Sequence, residues 1–186
     1  MFTIVSVARL DWAKGYEFSI DALALVRDAG ISFIYQIIGD GKYKEAIEFS
    51  VKQHGLDKCV TFVGSVPRNK VTEFLRQADI FLHLAVEEGF CNAVLEAQAI
   101  QLPVVVSDAG GLPENVDDGI TGFVVPRRNS RAAADKIIEL ARNRDLRVRM
   151  GQAGRQRVEE RFDLSSQIQK FESLYNAIMS RSEPQT

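Results

Sequence analysis

The sequence predicts an α/β fold in which helices cover both faces of a parallel sheet. Short apolar segments rich in Val, Ile and Phe recur between residues 2 and 125, and stretches with the apolar spacing of helices separate them. A right-handed crossover between parallel strands places each intervening helix against a face of the sheet that must be covered. The predicted architecture is therefore doubly wound and Rossmann-like, with about six parallel strands.

Each predicted strand is a short apolar run. The six runs cover residues 2–7, 33–38, 60–63, 80–84, 104–106 and 123–125. Helical spacing between them is clear for Phe18, Ala22, Leu25 and Val26, which precede Gly30. Because strand and helix alternate throughout this region, we expect every neighbouring pair of strands to be parallel.

After Pro126 the pattern indicates extra C-terminal helices only, over residues 130–143, 145–161 and 164–179. We expect one domain over residues 1–181 and a disordered tail over 182–186. The last helix carries a continuous apolar stripe, which is expected to cover the sheet or, alternatively, to cross partly to another domain. The stripe consists of Leu164, Ile168, Phe171, Tyr175 and Ile178.

The composition excludes several classes of protein. The chain has 186 residues, 46% of them hydrophobic, and a net charge of -2, which gives no reason to expect nucleic acid as a partner. No apolar run approaches the roughly 20 residues of a membrane helix, and the N-terminus does not resemble a signal peptide. Cys59 and Cys91 have no metal-ligand spacing. We therefore expect a cytoplasmic protein.

Ten arginines lie between Arg127 and Arg161, interleaved with acidic residues. This pattern predicts a solvated helical surface. Contact with a neighbouring domain or with an anionic acceptor carrier is the alternative.

The segment around Gly89 carries the strongest indication of a ligand site. A predicted strand ends near Leu84 and a helix is expected to begin around Phe90, and ligands of open parallel sheets bind at this edge. The backbone amides of the helix N-terminus are then available to a phosphate or a sugar hydroxyl. These amides belong to Phe90, Cys91, Asn92 and Ala93. An ordinary turn that needs glycine is the alternative.

Glu88 and Glu96 flank this segment, with seven residues between them. Helical rise separates them by about 12 Å, which exceeds the roughly 5 to 9.5 Å between the carboxylates of glycosidases. They are better placed to bind hydroxyls at opposite ends of a long ligand. Alternatively, they are solvated surface glutamates.

Arg9 and Lys14 lie in the loop that follows the first strand. Together they are suited to neutralise a diphosphate, Arg9 through its fork of donors and Lys14 as a mobile charge. Two solvated loop cations are the alternative. The first strand is not followed by GxGxxG, and the chain has no GxxxxGK[ST], so neither a standard dinucleotide site nor a P-loop is predicted.

Several motifs appear in one order along nearly the whole chain. They are SVARLDWAKG, IIGDG, VTFVGSV, ADIFLHLAVEEGFCNAVLEAQAIQLPVVVSDAGGLPE, DGITGFVVP and RMGQAGRQRVEERF. In this order they resemble the C-terminal, donor-binding domain of family-four retaining glycosyltransferases of the GT-B fold, which are also called group 1 glycosyl transferases.

The resemblance implies a role for each matching residue. Arg9 and Lys14 would bind the donor diphosphate, and Glu88 would contact donor-sugar hydroxyls. Glu96 would bind the ribose, and Val66 would meet the nucleobase. The backbone from Gly89 to Ala93, through Phe90, Cys91 and Asn92, would hold sugar and phosphate. Arg9, Lys14 and Glu88 are the expected catalytic residues.

Two positions depart from the family pattern: Ala8 and Cys91 stand where glycine is common. Neither removes a charged ligand group. Cys91 is expected to be a small packed residue rather than a nucleophile. His83 and His54 have no recognisable catalytic partner in the sequence and are expected to be structural.

The resemblance also implies a reaction, namely transfer of a hexosyl unit from a nucleoside diphosphate sugar, with retention and without a metal or other cofactor. UDP is the preferred nucleotide, ahead of GDP and ADP. The N-terminal acceptor domain is expected to be missing from this chain, so the isolated chain would bind donor and transfer weakly at most. The expected acceptor is a saccharide or a lipid-linked saccharide, and a peripheral position of the full-length protein at the inner membrane face is the alternative to the cytoplasm. A non-catalytic nucleotide-sugar-binding module and an unrelated Rossmann oxidoreductase are the competing functions.

Overall fold

The computed structural model describes residues 1–181, and six parallel strands form one sheet within them in the order β3-β2-β1-β4-β5-β6. The strands are β1 (Phe2–Val7), β2 (Phe33–Ile38), β3 (Val60–Gly64), β4 (Ile80–His83), β5 (Val104–Ser107) and β6 (Gly122–Val125). Every neighbouring pair is parallel, as the sequence predicts. The predicted tail, residues 182–186, lies outside the described residues.

The helices follow the strands in the predicted alternation. They are α1 (Tyr16–Asp28), α2 (Lys44–Gln53), α3 (Arg68–Gln77), α4 (Asn92–Ala99), α5 (Leu112–Asn115), α6 (Ser130–Arg142), α7 (Arg144–Arg161) and α8 (Leu164–Arg181), with a short 3-10 helix at Trp12–Lys14. Helix α4 begins two residues later than expected from the sequence, so Phe90 and Cys91 precede the helix. None of the helices described is long and apolar enough to cross a membrane.

The core consists of two apolar clusters, one on each face of the sheet. Adjacent residues of β1 contribute to different clusters, since Ile4 packs with Leu23 of α1 and Val5 packs with Val94 of α4. Successive side chains of a strand point to opposite faces, so this division shows that both faces are covered. The doubly wound, Rossmann-like architecture predicted from the alternation is confirmed.

The strand order reverses at β1, which lies between β2 and β4. Chain connections leave the carboxyl ends of β1 and β4 toward opposite sides of the sheet and open a crevice between them, which is where ligands bind in folds of this kind. The Arg9–Lys14 loop follows β1, and the segment containing Glu88 follows β4. The fold thus places the two predicted groups of site residues at its switch point.

The apolar stripe of α8 was expected to cover the sheet, but its described side chains are exposed. Phe171 is 72% exposed and Tyr175 is 66% exposed, and Ile168 and Ile178 are also exposed. The side chain of Leu164 is outside the described part of the helix. Helical spacing identified the stripe correctly but carries no information about which surface a terminal helix faces.

The arginine-rich surface of α6 and α7 is less uniformly solvated than predicted, because the side chain of Arg147 is 16% exposed and pairs with Asp79, and Arg157 is more deeply buried. Arg157 is 7% exposed; its Nε lies 3.0 Å from Asp117 Oδ2, and its Nη2 donates to the carbonyl oxygen of Glu114 at 2.8 Å. Its guanidinium also lies over the ring of Phe162, with the Cζ atom 5.3 Å from the ring centroid. This residue therefore joins α7 to the α5 region and is structural.

Candidate functional site

The loop after β1 is fixed against the segment after β4. The carbonyl oxygen of Ala13 accepts hydrogen bonds from the amides of Val86 and Glu87. Gly15 has a left-handed φ of 60°, and a Cβ there would lie 1.9 Å from the carbonyl oxygen of Leu84. Only glycine permits both the conformation and the close approach. These contacts carry Lys14, between Ala13 and Gly15, to the segment that contains Glu88.

Glu88 accepts two hydrogen bonds on the same carboxylate oxygen. Lys14 Nζ lies 2.8 Å from Glu88 Oε2, and His83 Nε2 lies 2.9 Å from the same atom. The carboxylate comes from the loop, the ammonium from the 3-10 helix and the imidazole from the end of β4. The Glu88 side chain is 12% exposed and the His83 side chain 2% exposed, so the cluster lies at the floor of the crevice.

The charges in this cluster stabilise each other. The hydrogen bond from His83 lowers the pKa of Glu88 to about 2, burial opposes the shift, and Lys14 adds to it. Burial disfavours the charged form of His83, but the neighbouring side chains of Cys91 and Glu88 outweigh it and raise the pKa of the imidazole to about 9. At neutral pH one carboxylate therefore lies between two cations, and the excess positive charge attracts an anionic ligand.

His83, Glu88 and Cys91 also have the ligand types that zinc accepts, and their ligand atoms lie within 4.8 Å of one another. A metal ion here would have to displace the proton of His83 and compete with the Lys14 ammonium for the same carboxylate. The cation–carboxylate arrangement therefore suits an anionic or hydroxyl-rich ligand better than a metal ion.

The first turn of α4 presents free amides beside this cluster. The amides of Asn92 and Ala93 donate to no backbone acceptor within residues 1–181, as expected at a helix N-terminus. The predicted amide of Cys91 is different, because it donates to Asn115 Oδ1 at 3.4 Å. Cys91 itself is buried and packs in the core, as expected for a small packed residue. Among the residues described, three of the four predicted amides, those of Phe90, Asn92 and Ala93, are thus available, and that of Cys91 is engaged.

Gly89 has no internal reason to be glycine. Its φ is not left-handed, and a Cβ there would meet no atom within 4 Å. The next glycine pair in sequence differs, since a Cβ at Gly110 would lie 1.9 Å from the Glu88 carbonyl oxygen and one at Gly111 would lie 1.9 Å from that of Gly89. Gly110 and Gly111 hold the Glu88 segment in place. The open space at Gly89 favours the close approach of a ligand over the ordinary-turn alternative.

Glu96 lies on α4, away from the Lys14–Glu88 pair. Its Oε1 accepts a hydrogen bond from Arg68 Nη2 at 2.8 Å, and Arg68, the first residue of α3, is 87% exposed. Val66 lies two residues before Arg68 and is half-buried against the core. The pair Arg68–Glu96 therefore connects the start of α3 to α4.

Arg9 is exposed and has no hydrogen bond or ion pair within the described part of the chain. The backbone on either side of it is fixed by the Gly39–Gly41 turn, because Ala8 N donates to the Ile38 carbonyl oxygen and Leu10 N donates to that of Asp40. This turn thus supports the backbone at Arg9. Its guanidinium is free to bind a ligand.

Sequence reasoning missed three residues of the site: His83, Arg68 and Asn115. His83 was expected to have no partner, yet it contacts Glu88 and adjoins Cys91. One signal was present in the sequence. Glu88 comes five residues after His83 and Cys91 comes eight residues after it, across one strand-to-helix turn. Arg68 and Asn115 act across elements distant in sequence and gave no local signal.

The protein is a Rossmann-like α/β domain with a candidate site at the carboxyl ends of β1 and β4. Cations, a carboxylate and free helix amides meet there, at the switch point of the parallel sheet. Comparison of the sequence with known protein families identifies the family. The chain belongs to the family described as glycosyl transferases group 1, which matches residues 2–157.

Individual relatives agree with this assignment. The chain is 38% identical over 188 residues to the capsular polysaccharide biosynthesis glycosyltransferase CapM of Staphylococcus aureus, covering 98% of this chain and 48% of CapM. The chain spans less than half the length of the curated relatives it matches.

Solved structures show the same fold. Sucrose-phosphate synthase from Thermosynechococcus elongatus superimposes with a TM-score of 0.89 at 26% identity, over 97% of this chain and 46% of that enzyme. HepE from Anabaena, crystallised in complex with UDP, superimposes with a TM-score of 0.86 at 23% identity, over 95% of this chain and 49% of HepE. At that identity the likeness to HepE shows the fold alone.

Proposed function

We propose that this chain is the donor-binding half of a retaining hexosyltransferase and binds a nucleoside diphosphate sugar at the carboxyl ends of β1 and β4. The observation that carries the proposal is the Lys14–Glu88 pair, 2.8 Å apart beside the free amides of α4. A cation suited to a diphosphate thus lies beside a carboxylate suited to sugar hydroxyls. In the ligand, the diphosphate and the sugar are likewise adjacent.

Arg9 and Lys14 stabilise the leaving diphosphate in this proposal. Negative charge builds on the departing phosphate as the bond to the anomeric carbon breaks, and fixed cations lower the energy of that state. Two side-chain cations supply this charge without a metal or other cofactor. The acceptor hydroxyl attacks from the face that the diphosphate leaves, so the anomeric configuration is retained, and the hydroxyl proton passes to the departing diphosphate oxygen.

Other residues hold the rest of the donor. Glu88 accepts hydrogen bonds from the sugar hydroxyls, and the backbone from Gly89 to Ala93 contacts sugar and phosphate. Glu96 accepts from the ribose hydroxyls with the oxygen that Arg68 leaves open, and Val66 lies against the nucleobase. Support comes from the unoccupied space at Gly89 and from the free amides of Asn92 and Ala93.

UDP is the proposed nucleotide, with GDP and ADP as alternatives. The UDP complex of HepE makes UDP the first probe to use. The acceptor is proposed to be a saccharide or a lipid-linked saccharide, in line with the name of CapM. The setting is proposed to be the cytoplasm, with the whole protein at the inner membrane face as the alternative.

An N-terminal acceptor domain is proposed to complete the enzyme in the same polypeptide. The relatives are about twice as long as the region matched, and the exposed aromatic side chains Phe171 and Tyr175 offer a surface for such a domain. The isolated chain is therefore expected to bind donor and to transfer weakly at most.

Calorimetric titration with UDP-glucose, GDP-mannose and NAD tests the proposal on the wild-type chain and on Glu96→Ala. We expect binding of a sugar nucleotide that Glu96→Ala weakens. Binding of NAD alone would replace the proposal with a Rossmann oxidoreductase. Donor binding without transfer or donor hydrolysis by a chain that includes an acceptor domain would indicate a non-catalytic nucleotide-sugar-binding module.

A further inference from the structure

The end of β4 places a buried imidazole directly beneath the Glu88 carboxylate. His83 is the last residue of β4, its side chain is 2% exposed, and its ring lies 6.3 Å from the ring of Phe81 between centroids. Its Nε2 lies 2.9 Å from Glu88 Oε2. A side chain enclosed in this way has little freedom to turn, so the hydrogen bond comes from a fixed position.

The two donors to Glu88 leave its other oxygen open. Lys14 and His83 both contact Oε2, and Oε1 has no hydrogen-bond partner among the described residues. A carboxylate has lone pairs on both oxygens, so Oε1 remains able to accept hydrogen bonds from a ligand. The orientation of Glu88 is thus set through one oxygen, while the other remains able to accept from a ligand.

Lys14 and His83 differ in what else they can bind. The ammonium of Lys14 ends a flexible side chain and is the group proposed to meet the donor diphosphate. If it turns to the diphosphate, Glu88 loses that contact. The rigid, buried His83 retains its contact in either state.

We propose that His83 is a positioning residue that holds Glu88 in the orientation required to accept hydrogen bonds from the donor-sugar hydroxyls. This role rests on the proposed function, because it assigns Glu88 to the sugar. His83 itself does not contact the sugar and acts through Glu88.

Other titratable groups near the ring are few in the described part of the chain. Glu88 and Cys91 act directly on His83, Lys14 acts through Glu88, and Tyr16 of α1 faces Cys91. Burial raises the pKa of Tyr16 far above neutrality, so its hydroxyl stays uncharged. The charge state of His83 therefore depends mainly on Glu88 and Cys91.

The test compares affinities for UDP and for a UDP-sugar in the same variant. UDP-glucose, UDP-galactose and UDP-N-acetylglucosamine are titrated first into the wild-type chain, and the tightest is used. In His83→Phe, which keeps the ring volume and lacks a donor, we expect the preference for the UDP-sugar over UDP to fall about tenfold, because a hydrogen bond to a charged group is lost. The affinity for UDP itself should fall less, because Arg9 and Lys14 remain to bind the diphosphate. His83→Gln, which retains an N–H donor, should keep most of the preference.

Two further variants make the result specific to positioning. Glu88→Gln should lose the preference, and adding His83→Phe to it should produce no further loss. In NMR titrations the His83 imidazole of the wild type should titrate near its pKa of about 9, and Glu88→Gln should lower that midpoint by about one unit or more. The NMR measurement needs no ligand and does not depend on the folding of His83→Phe.

The outcomes separate the two claims. Failure of the wild type to bind UDP or any nucleotide sugar would overturn the proposed function and this role with it. Wild-type binding with no preference for any UDP-sugar over UDP, an unchanged preference in His83→Phe, or an equal loss of UDP and UDP-sugar affinity would overturn the positioning role alone. So would an NMR midpoint that Glu88→Gln leaves unchanged.

Discussion

Lys14 Nζ lies 2.8 Å from Glu88 Oε2, although 74 residues separate the two along the chain. The carbonyl oxygen of Ala13 and the left-handed turn at Gly15 fix the Lys14 loop to the segment after β4. The two residues therefore meet because β1 and β4 are neighbours in the sheet, and not because they are close in sequence.

Lys14→Ala should weaken UDP binding by about tenfold or more, because a charge-assisted contact to the diphosphate is removed. Calorimetric titration measures the change. Lys52→Ala removes an exposed lysine at the far end of α2 and serves as the matched control. Equal UDP affinity in Lys14→Ala and Lys52→Ala would contradict the assignment of Lys14 to the diphosphate.

Gly89→Ala should separate ligand binding from stability. Since its added methyl meets no protein atom and its φ is not left-handed, the free energy of unfolding should change by no more than about 0.5 kcal/mol. Donor binding should weaken because the methyl occupies the space in which the ligand approaches.

Gly111→Ala is the matched control, because its Cβ would lie 1.9 Å from the Gly89 carbonyl oxygen. It should lower the free energy of unfolding by about 2 kcal/mol or more. Urea unfolding and titration with UDP-glucose measure both properties. A Gly89→Ala variant that binds donor like the wild type would show that no ligand approaches this backbone.

The His83–Glu88 contact should make stability depend on pH at both ends of the range. The pKa of Glu88 is lowered from 4.5 to about 2, so its contribution is complete above pH 4.5 and is lost as the pH falls toward 2. The pKa of His83 is raised from 6.5 to about 9, so its contribution is complete below pH 6.5 and is lost as the pH rises through 9. Both contributions are complete between pH 4.5 and 6.5.

His83→Gln removes the alkaline part of this dependence. The difference in free energy of unfolding between the wild type and His83→Gln should shrink by about 3 kcal/mol between pH 6 and pH 9.5, given about 1.4 kcal/mol per pKa unit. Urea unfolding at the two pH values measures it, and the subtraction cancels groups common to both proteins. A difference that stays constant would show that His83 is not charged in the folded protein at pH 6.

Arg157→Ala should destabilise the chain by about 3 kcal/mol, since it leaves buried acceptors without their cation. Arg157 bonds the carbonyl oxygens of Asn115 and Glu114, and the side chain of Asn115 in turn accepts from the Cys91 amide. Arg155→Ala, two residues away on the same helix, removes an exposed i,i+4 pair with Glu159 and should cost about 0.5 kcal/mol or less. Thermal unfolding compares the two, and similar losses would contradict the structural role of Arg157.

The strands were predictable because apolar runs and their alternation with helices are local properties of the sequence. The start of α4 at Asn92 was not, because Cys91, the residue before the helix, is not one of the usual N-cap residues. Phe90 is held instead by the ring of Phe162, 5.9 Å away between centroids at the end of α7. Contacts of this kind join residues far apart in sequence.

In the site, too, local features were predictable from the sequence and contacts between distant residues were not. Lys14 and Glu88 were predictable from residue type and position after a strand, but their pairing depends on the order of strands in the sheet. His83 was misjudged because a single histidine has no partner until the turn after β4 folds back over it. Arg157 was grouped with the solvated arginines because burial of one member of a charged helix leaves no periodic signal.

The central claim is that a nucleoside diphosphate sugar binds at the carboxyl ends of β1 and β4. Backbone amide NMR of the ¹⁵N-labelled chain, titrated with UDP-glucose, tests it most directly because it locates the ligand as well as detecting it. We predict that the shifting amides cluster at Gly89, Asn92, Ala93 and the loop from Arg9 to Gly15. Shifts confined to another surface, or none with UDP-glucose or GDP-mannose at millimolar concentration, would contradict the claim.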